Sequence, residues 1–71
     1  MIDQQKVNEL SRADIDDIEL HFYAALENES GSGDHWILMA VMDKYGFRTG
    51  SPTAVMRLAE EVIKLWYNNQ K

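Results

Sequence analysis

Residues 51–68, SPTAVMRLAEEVIKLWYN, carry the strongest fold signal in the chain. Ser51 at a cap position, followed by Pro52 at the first helical position, marks the start of a helix that we expect to run over residues 52–68. At 100° per residue, the main apolar face of this helix is formed by Val55, Leu58, Ala59, Val62, Leu65 and Trp66. A second apolar stripe lies beside this face, so the helix is broad enough to bury more than one neighbour.

The second stripe consists of Met56, Ile63 and Tyr67. Two interpretations of it stay open: either the helix is wedged between two other helices of its own chain, or the stripe forms a dimer or partner interface. The apolar fraction of 45% is high for a chain of 71 residues. Together with the stripe, this composition favours a homodimer over a monomer.

The rest of the chain predicts three further helices, separated by clear start and stop signals. Asp3 can cap the first helix, and Ser11 with Asp14 three residues later forms a capping box at the start of the second. Apolar residues then recur at helical spacing on one face of the second helix: Ile15, Ile18, Phe22, Ala25 and Leu26. The four expected helices span residues 3–10, 11–28, 35–45 and 52–68.

The third helix contains the longest apolar run of the chain, from Trp36 to Met42. We expect Asp34 to cap this helix and Gly46 to end it in the left-handed conformation. A helix that is apolar on all sides is usually a central one, so this helix is predicted to lie at the centre of the fold. His35, between the cap and the run, is expected at an edge.

These signals predict an all-α fold, a compact bundle of four short helices that forms a single domain over residues 1–71. The sequence has no cysteine, no signal peptide and no apolar segment that could span a bilayer, so we expect a cytoplasmic protein. Asp14, Asp17 and His21 share a helix face, but an exposed ion pair is a better interpretation of them than a metal site. No nucleophile or catalytic pattern is present, and we expect no enzymatic activity, no cofactor and no bound metal.

The charges are distributed unevenly along the chain. Residues 1–34 hold nine acidic and two basic residues, a formal charge of −7, whereas residues 35–71 hold three and five, a formal charge of +2. The net charge of −5 argues against general binding of nucleic acids, which requires clustered Lys and Arg side chains. The separation points instead to a protein partner.

The second helix carries the candidate partner-binding surface. Asp16, Asp17 and Glu27 surround Leu20 on the side opposite the predicted core face. An apolar anchor ringed by carboxylates suits the docking of a basic protein surface, because complementary charge steers encounter and selects partners. The expected function is therefore a non-enzymatic protein-protein interaction module, a small regulator or inhibitor of the kind frequent among phage and mobile-element accessory proteins.

Two other functions stay open. Residues 35–68 have the order of a helix-turn-helix, whose second helix would present Arg57 and Lys64 to DNA. The adjacent carboxylates of Glu60 and Glu61 on the same helix would be repelled by phosphate. The chain could also be a structural subunit of a larger assembly.

Overall fold

The computed structural model describes residues 2–27 and 33–70. This part of the chain forms four packed α-helices and contains no strand, so the predicted all-α class is confirmed. The helices are α1 (Gln4–Asn8), α2 (Arg12–Leu26), α3 (Gly33–Lys44) and α4 (Ala54–Asn69). Each bound lies within two residues of the expected one. The expected end of the second helix, residue 28, lies outside the described residues.

Side-chain caps fix the starts of the first two helices, as the sequence predicts. The Asp3 carboxylate accepts a hydrogen bond from the amide of Gln5 (3.0 Å). The Ser11 hydroxyl accepts from the amide of Asp14 (3.1 Å), and the Asp14 carboxylate accepts from the amide of Ser11 (3.0 Å). This reciprocal capping box satisfies two amides that the helix itself leaves unpaired, so it sets the residue at which α2 begins.

α3 ends at a glycine in the left-handed conformation, also as predicted. Gly46 has a φ of +90°. Its amide donates to the carbonyl of Asp43 (3.0 Å), and the amide of Phe47 donates to the carbonyl of Met42 (2.9 Å). These two bonds form a Schellman motif, and the Phe47 side chain that follows the glycine is buried in the core.

Ser51 caps the start of α4, although the regular helix begins at Ala54. The Ser51 hydroxyl accepts from the amides of Thr53 (3.1 Å) and Ala54 (3.2 Å), and its carbonyl accepts from the amide of Val55 (3.2 Å). Pro52 has no amide hydrogen, so it occupies the first position of this turn without leaving a donor unpaired. The predicted start signal is therefore present one turn before the regular helix.

α4 is the helix around which the others pack. It contacts α1, α2 and α3, whereas α2 contacts α3 and α4. The buried side chains of α4 are Val55, Ala59, Val62, Ile63 and Trp66, and they share one core with Ile15, Ile18, Leu38 and Met42. The indole nitrogen of Trp66 donates to the carbonyl of Leu10 (2.9 Å), so this polar group has a partner although it is buried.

α3 is not the central helix that its apolar sequence predicts. Its buried side chains are His35, Leu38 and Met42, whereas Trp36 and Ile37 are at least half exposed. The reason is that α3 contacts only α2 and α4, so the far side of its apolar run has no neighbour among the described helices. The expected edge position of His35 is also wrong, because this side chain is 3% exposed.

Two smaller expectations fail at the ends of helices. α3 begins at Gly33, which places Asp34 in the first turn of the helix and not at its cap. Leu26, expected on the core face of α2, is exposed because it lies in the last turn, at the rim of a groove between α2 and α4.

Candidate protein-binding site

Large apolar side chains are exposed on α2 and α3, and not on the described parts of α1 and α4. The five that are at least half exposed are Leu20 (67%), Tyr23 (54%), Leu26 (55%), Trp36 (57%) and Ile37 (50%). Burying a side chain of this size contributes about 1.5–3 kcal/mol, so a partner that covers several of them gains substantial binding energy. Single exposed apolar residues are ordinary, so only those that neighbour one another on one face of a helix are candidates for a binding surface.

One side of α2 combines two of these side chains with two carboxylates. Asp16, Leu20, Tyr23 and Glu27 follow one another at intervals of four, three and four residues, which places them on one line along the helix. All four are exposed, and the line lies away from the buried residues of α2. These four residues are termed the acidic face.

The acidic face contains three of the four residues predicted for partner binding. Asp16, Leu20 and Glu27 are exposed together, whereas the carboxylate of Asp17 is directed to α3. Tyr23 also belongs to the acidic face, although the sequence did not predict it as a partner-binding residue. Its spacing of three residues from Leu20 is the signal that could have identified it.

The Asp16 carboxylate already has a partner, but only at the surface. Arg12 Nε lies 3.3 Å from Asp16 Oδ1, and both side chains are more than half exposed. Such exposed pairs contribute about 0–1 kcal/mol. The Arg12 guanidinium also lies 5.7 Å from the ring centre of Trp66 and 5.6 Å from that of Tyr67, which holds it over α4. Asp16 can therefore exchange this contact for a basic group of another protein with little loss.

Asp17 joins α2 to α3. Its Oδ2 accepts from the Tyr45 hydroxyl (2.7 Å) and lies 3.4 Å from Lys44 Nζ. The hydrogen bond from Tyr45 lowers the pKa of Asp17; partial burial opposes this effect, and Lys44 and His21 add to it. The same hydrogen bond raises the pKa of Tyr45. The Asp17 carboxylate is therefore a structural link within the chain, and it is not part of the acidic face.

The predicted pair between Asp17 and His21 is present, but it is not fully exposed. His21 Nδ1 lies 3.3 Å from Asp17 Oδ1, and both side chains are 29% exposed because this part of α2 packs against α3. His21 Nδ1 also donates to the Asp17 carbonyl oxygen (2.8 Å), since a carbonyl can only accept. The imidazole is thus held along its own helix.

The second apolar stripe of α4 packs within the chain. Ile63 is buried, and Met56 and Tyr67 are partly buried against the core. The Tyr67 hydroxyl donates to Glu19 Oε1 (2.7 Å), and this bond raises the pKa of Tyr67 and links α4 to α2. This placement supports the interpretation of α4 as a helix wedged between others. The stripe as a dimer or partner interface stays a prediction.

A groove runs between α2 and α4 beside the acidic face. It is lined by Phe22, Tyr23, Leu26, Glu60, Ile63 and Lys64, and its volume is about 310 Å³. Phe22 and Ile63 are buried, whereas Tyr23 and Leu26 are exposed. Because Tyr23 belongs to both surfaces, the groove extends the apolar part of the acidic face toward α4.

The residues considered for DNA recognition also lie at the surface of α4. Arg57, Glu60, Glu61 and Lys64 are all exposed. Lys64 Nζ lies 3.6 Å from Glu60 Oε1, so one of the two cations already faces a carboxylate. This sector presents as many carboxylates as cations and has no net attraction to phosphate. A helix-turn-helix function stays a prediction that gains no support from the charge of α4.

Residues 2–27 and 33–70 contain neither a metal-binding cluster nor a membrane-spanning helix. No group of three or more His, Asp or Glu side chains in these ranges is arranged to hold a metal ion. Nor does either range contain a helix with the length and apolar character needed to cross a membrane. The chain matches no family model, no curated protein and no solved structure, so its exposed surface is the guide to its function.

Proposed function

We propose that this chain is a non-enzymatic protein-protein interaction module that docks a basic surface of a partner protein on the acidic face of α2. The observation that carries the proposal is the 67% exposure of Leu20 on the same line of α2 as the carboxylates of Asp16 and Glu27. A chain of this kind acts as a small regulator or inhibitor by covering the surface that it binds.

Two kinds of interaction contribute to binding at the acidic face: apolar contact at its middle and charge at its ends. Leu20 and Tyr23 at its middle supply the area that leaves water, and tyrosine is among the residues that dominate binding energy at interfaces. Asp16 and Glu27 lie eleven residues apart, roughly 16 Å along a helix axis. The matching partner surface therefore has two basic groups separated by about this distance, with an apolar patch between them.

The charge of the whole chain supports the same partner chemistry. The net charge of −5 attracts a basic protein over distances longer than a contact, which raises the rate of encounter. Salt screens this attraction. Binding should therefore weaken as the ionic strength rises, while the apolar contact of Leu20 persists.

The proposal is tested by immobilising the wild-type chain and matched variants and capturing partner proteins from an extract of the native host. The baits are the wild type, Leu20→Gln, Glu27→Gln and, as a control, Ile37→Gln, which removes an exposed apolar side chain from α3. We expect a partner that wild type and Ile37→Gln retain equally. Its retention should fall about tenfold or more with Leu20→Gln, as for a central contact residue, and less with Glu27→Gln.

Circular dichroism of the four baits shows whether each is folded. The affinity of the captured protein, after purification, is then measured at low and high salt. If folded Leu20→Gln retains every protein that the wild type retains, and to the same extent, the acidic face is not the binding site.

A further inference from the structure

We propose that the outer face of α3 binds the same face of a second copy of this chain, related by a two-fold axis near Ala40. In this arrangement Trp36 of each copy enters the groove beside α3 of the other. The proposal concerns a different surface from the acidic face, and it does not rest on the function proposed above.

The outer face of α3 presents a large side chain to solvent. Trp36 is 57% exposed, Ile37 beside it is 50% exposed, and Ala40 one turn later is also exposed. A tryptophan side chain can bury about 150–250 Å² of surface, and tryptophan is enriched at the centres of interfaces. Trp66, by contrast, lies in the core and is 5% exposed.

A groove of about 490 Å³ lies directly beside this tryptophan. It is lined by Trp36, Met39, Ala40, Asp43, Arg48 and Thr49. Met39 and Ala40 offer apolar contact, the Asp43 carboxylate can accept from an indole nitrogen, and the Arg48 guanidinium can stack on an indole ring. Arg48 Nε lies 2.9 Å from Asp43 Oδ1, so the carboxylate acceptor and the guanidinium cation are adjacent in the groove. The lining thus offers apolar, hydrogen-bonding and cationic contacts to an indole.

A two-fold axis brings the tryptophan of one copy to the groove of the other. When two α3 helices pair antiparallel about Ala40, position 36 of one lies opposite position 44 of the other, and position 37 lies opposite position 43. Trp36 therefore reaches the end of the groove that holds Asp43. The small Ala40 side chain at the axis lets the two helices approach closely, and both copies use the same residues.

Charge favours the outer face of α3 over the acidic face as a surface that pairs with a second copy of the chain. The acidic face would set its carboxylates against those of a second copy, and like charges oppose such pairing. The outer face of α3 carries one carboxylate, Asp43, which is paired with Arg48. The remaining cation, Lys44, lies 3.4 Å from a carboxylate oxygen of Asp17. This face is close to neutral, so it opposes pairing less than the acidic face does, and only the long-range repulsion between two chains of net charge −5 has to be overcome.

Sedimentation velocity over a range of concentrations tests the proposal on the whole chain. We expect a reversible equilibrium between monomer and dimer for the wild type. Trp36→Gln should raise the dimer dissociation constant about 30-fold or more, as truncation of a central tryptophan does. Ala40→Arg should also prevent dimerisation, because it adds bulk at the axis while leaving Trp36 in place. Both positions are exposed in the monomer, and circular dichroism confirms that each variant is folded.

Leu20→Gln is the matched control, because it removes an apolar side chain from α2 that is exposed at least as much as Trp36 and should leave the dimer intact. Fluorescence gives an independent measurement: the emission of Trp36 should shift to shorter wavelength on dimerisation, and Trp36→Gln, which keeps Trp66, should show no shift. A wild type that stays monomeric at the highest concentration overturns the proposal. A dimer that Trp36→Gln and Ala40→Arg leave unchanged, or that Leu20→Gln weakens equally, also overturns it.

Discussion

At the scale of single residues, Asp16 and Asp17 show what the sequence can and cannot predict. The sequence places both in one acidic stretch and predicts the same role for them. Adjacent helical residues point 100° apart, however, so one carboxylate is exposed while the other meets α3. The donors that hold Asp17 are Tyr45 and Lys44, which lie 28 and 27 residues away along the chain. No local pattern identifies such distant partners.

Asp17→Asn should lower the free energy of unfolding at neutral pH by about 1–2 kcal/mol. The amide oxygen can still accept from Tyr45, but the charge that attracts Lys44 is lost. Asp16→Asn is the matched control and should change the free energy by less than about 0.5 kcal/mol, because its pair with Arg12 is exposed. Urea unfolding followed by circular dichroism measures both effects.

The pH dependence of this effect has a definite sign. Because folding lowers the pKa of Asp17, its contribution is complete above the ordinary value of about 3.9 and is lost as the pH falls through the lowered value. Wild type should therefore lose more stability than Asp17→Asn between about pH 5 and pH 2. Folding raises the pKa of Tyr45, so its contribution is lost as the pH rises above about 10. Equal acid losses in the two proteins would contradict the role of Asp17.

At the scale of helices, each helix could be predicted from the sequence, but the side of α3 that faces the core could not. Capping residues act within one turn, so Ser11 and Gly46 mark helix ends that local sequence can identify. The run from Trp36 to Met42 has no polar residue to distinguish an outer side. Which side is buried depends on where α2 and α4 pack, and this is a property of the assembled fold.

Gly46→Ala should lower the free energy of unfolding by about 1–2 kcal/mol, since a side chain is strained at a φ of +90°. A Cβ atom there would also lie 3.1 Å from Lys6 Nζ, which donates to the Gly46 carbonyl (2.9 Å). Gly50→Ala is the control: no atom lies within 4 Å of a Cβ at that position, and its φ is not positive. It should be neutral or stabilise by about 0.4–1 kcal/mol. Thermal unfolding compares them, and equal effects would refute the role of the left-handed turn.

At the scale of the whole molecule, stability depends on contacts between distant parts of a short chain. With 71 residues and no cysteine, the protein relies on one core and on hydrogen bonds that join its helices. Tyr67 bonds to Glu19, and Trp66 bonds to Leu10. The broad apolar face predicted for α4 indicates such a central role. The sequence alone does not identify the exposed surfaces of α2 and α3, because they depend on how the helices pack.

The two tryptophans allow a direct test of this dependence. Trp66→Phe leaves the buried carbonyl of Leu10 without its donor and should destabilise the fold by about 1–3 kcal/mol. Trp36→Phe makes the same chemical change at an exposed position and should alter stability by less than about 0.5 kcal/mol. Urea unfolding at a low protein concentration measures both. If the two variants lose stability equally, the hydrogen bond from Trp66 to Leu10 does not contribute measurably to the free energy of unfolding.

The hydrogen bond between Trp66 and Leu10 also has a consequence for the order of folding. It closes a loop of 56 residues, whereas the bond between Tyr45 and Asp17 closes one of 28. Each doubling of loop length adds about 0.6 kcal/mol of entropic cost, and contacts between distant residues slow folding. We therefore expect α2 and α3 to associate before the end of α4 docks. The chain then displays both of its exposed apolar surfaces before its core is closed.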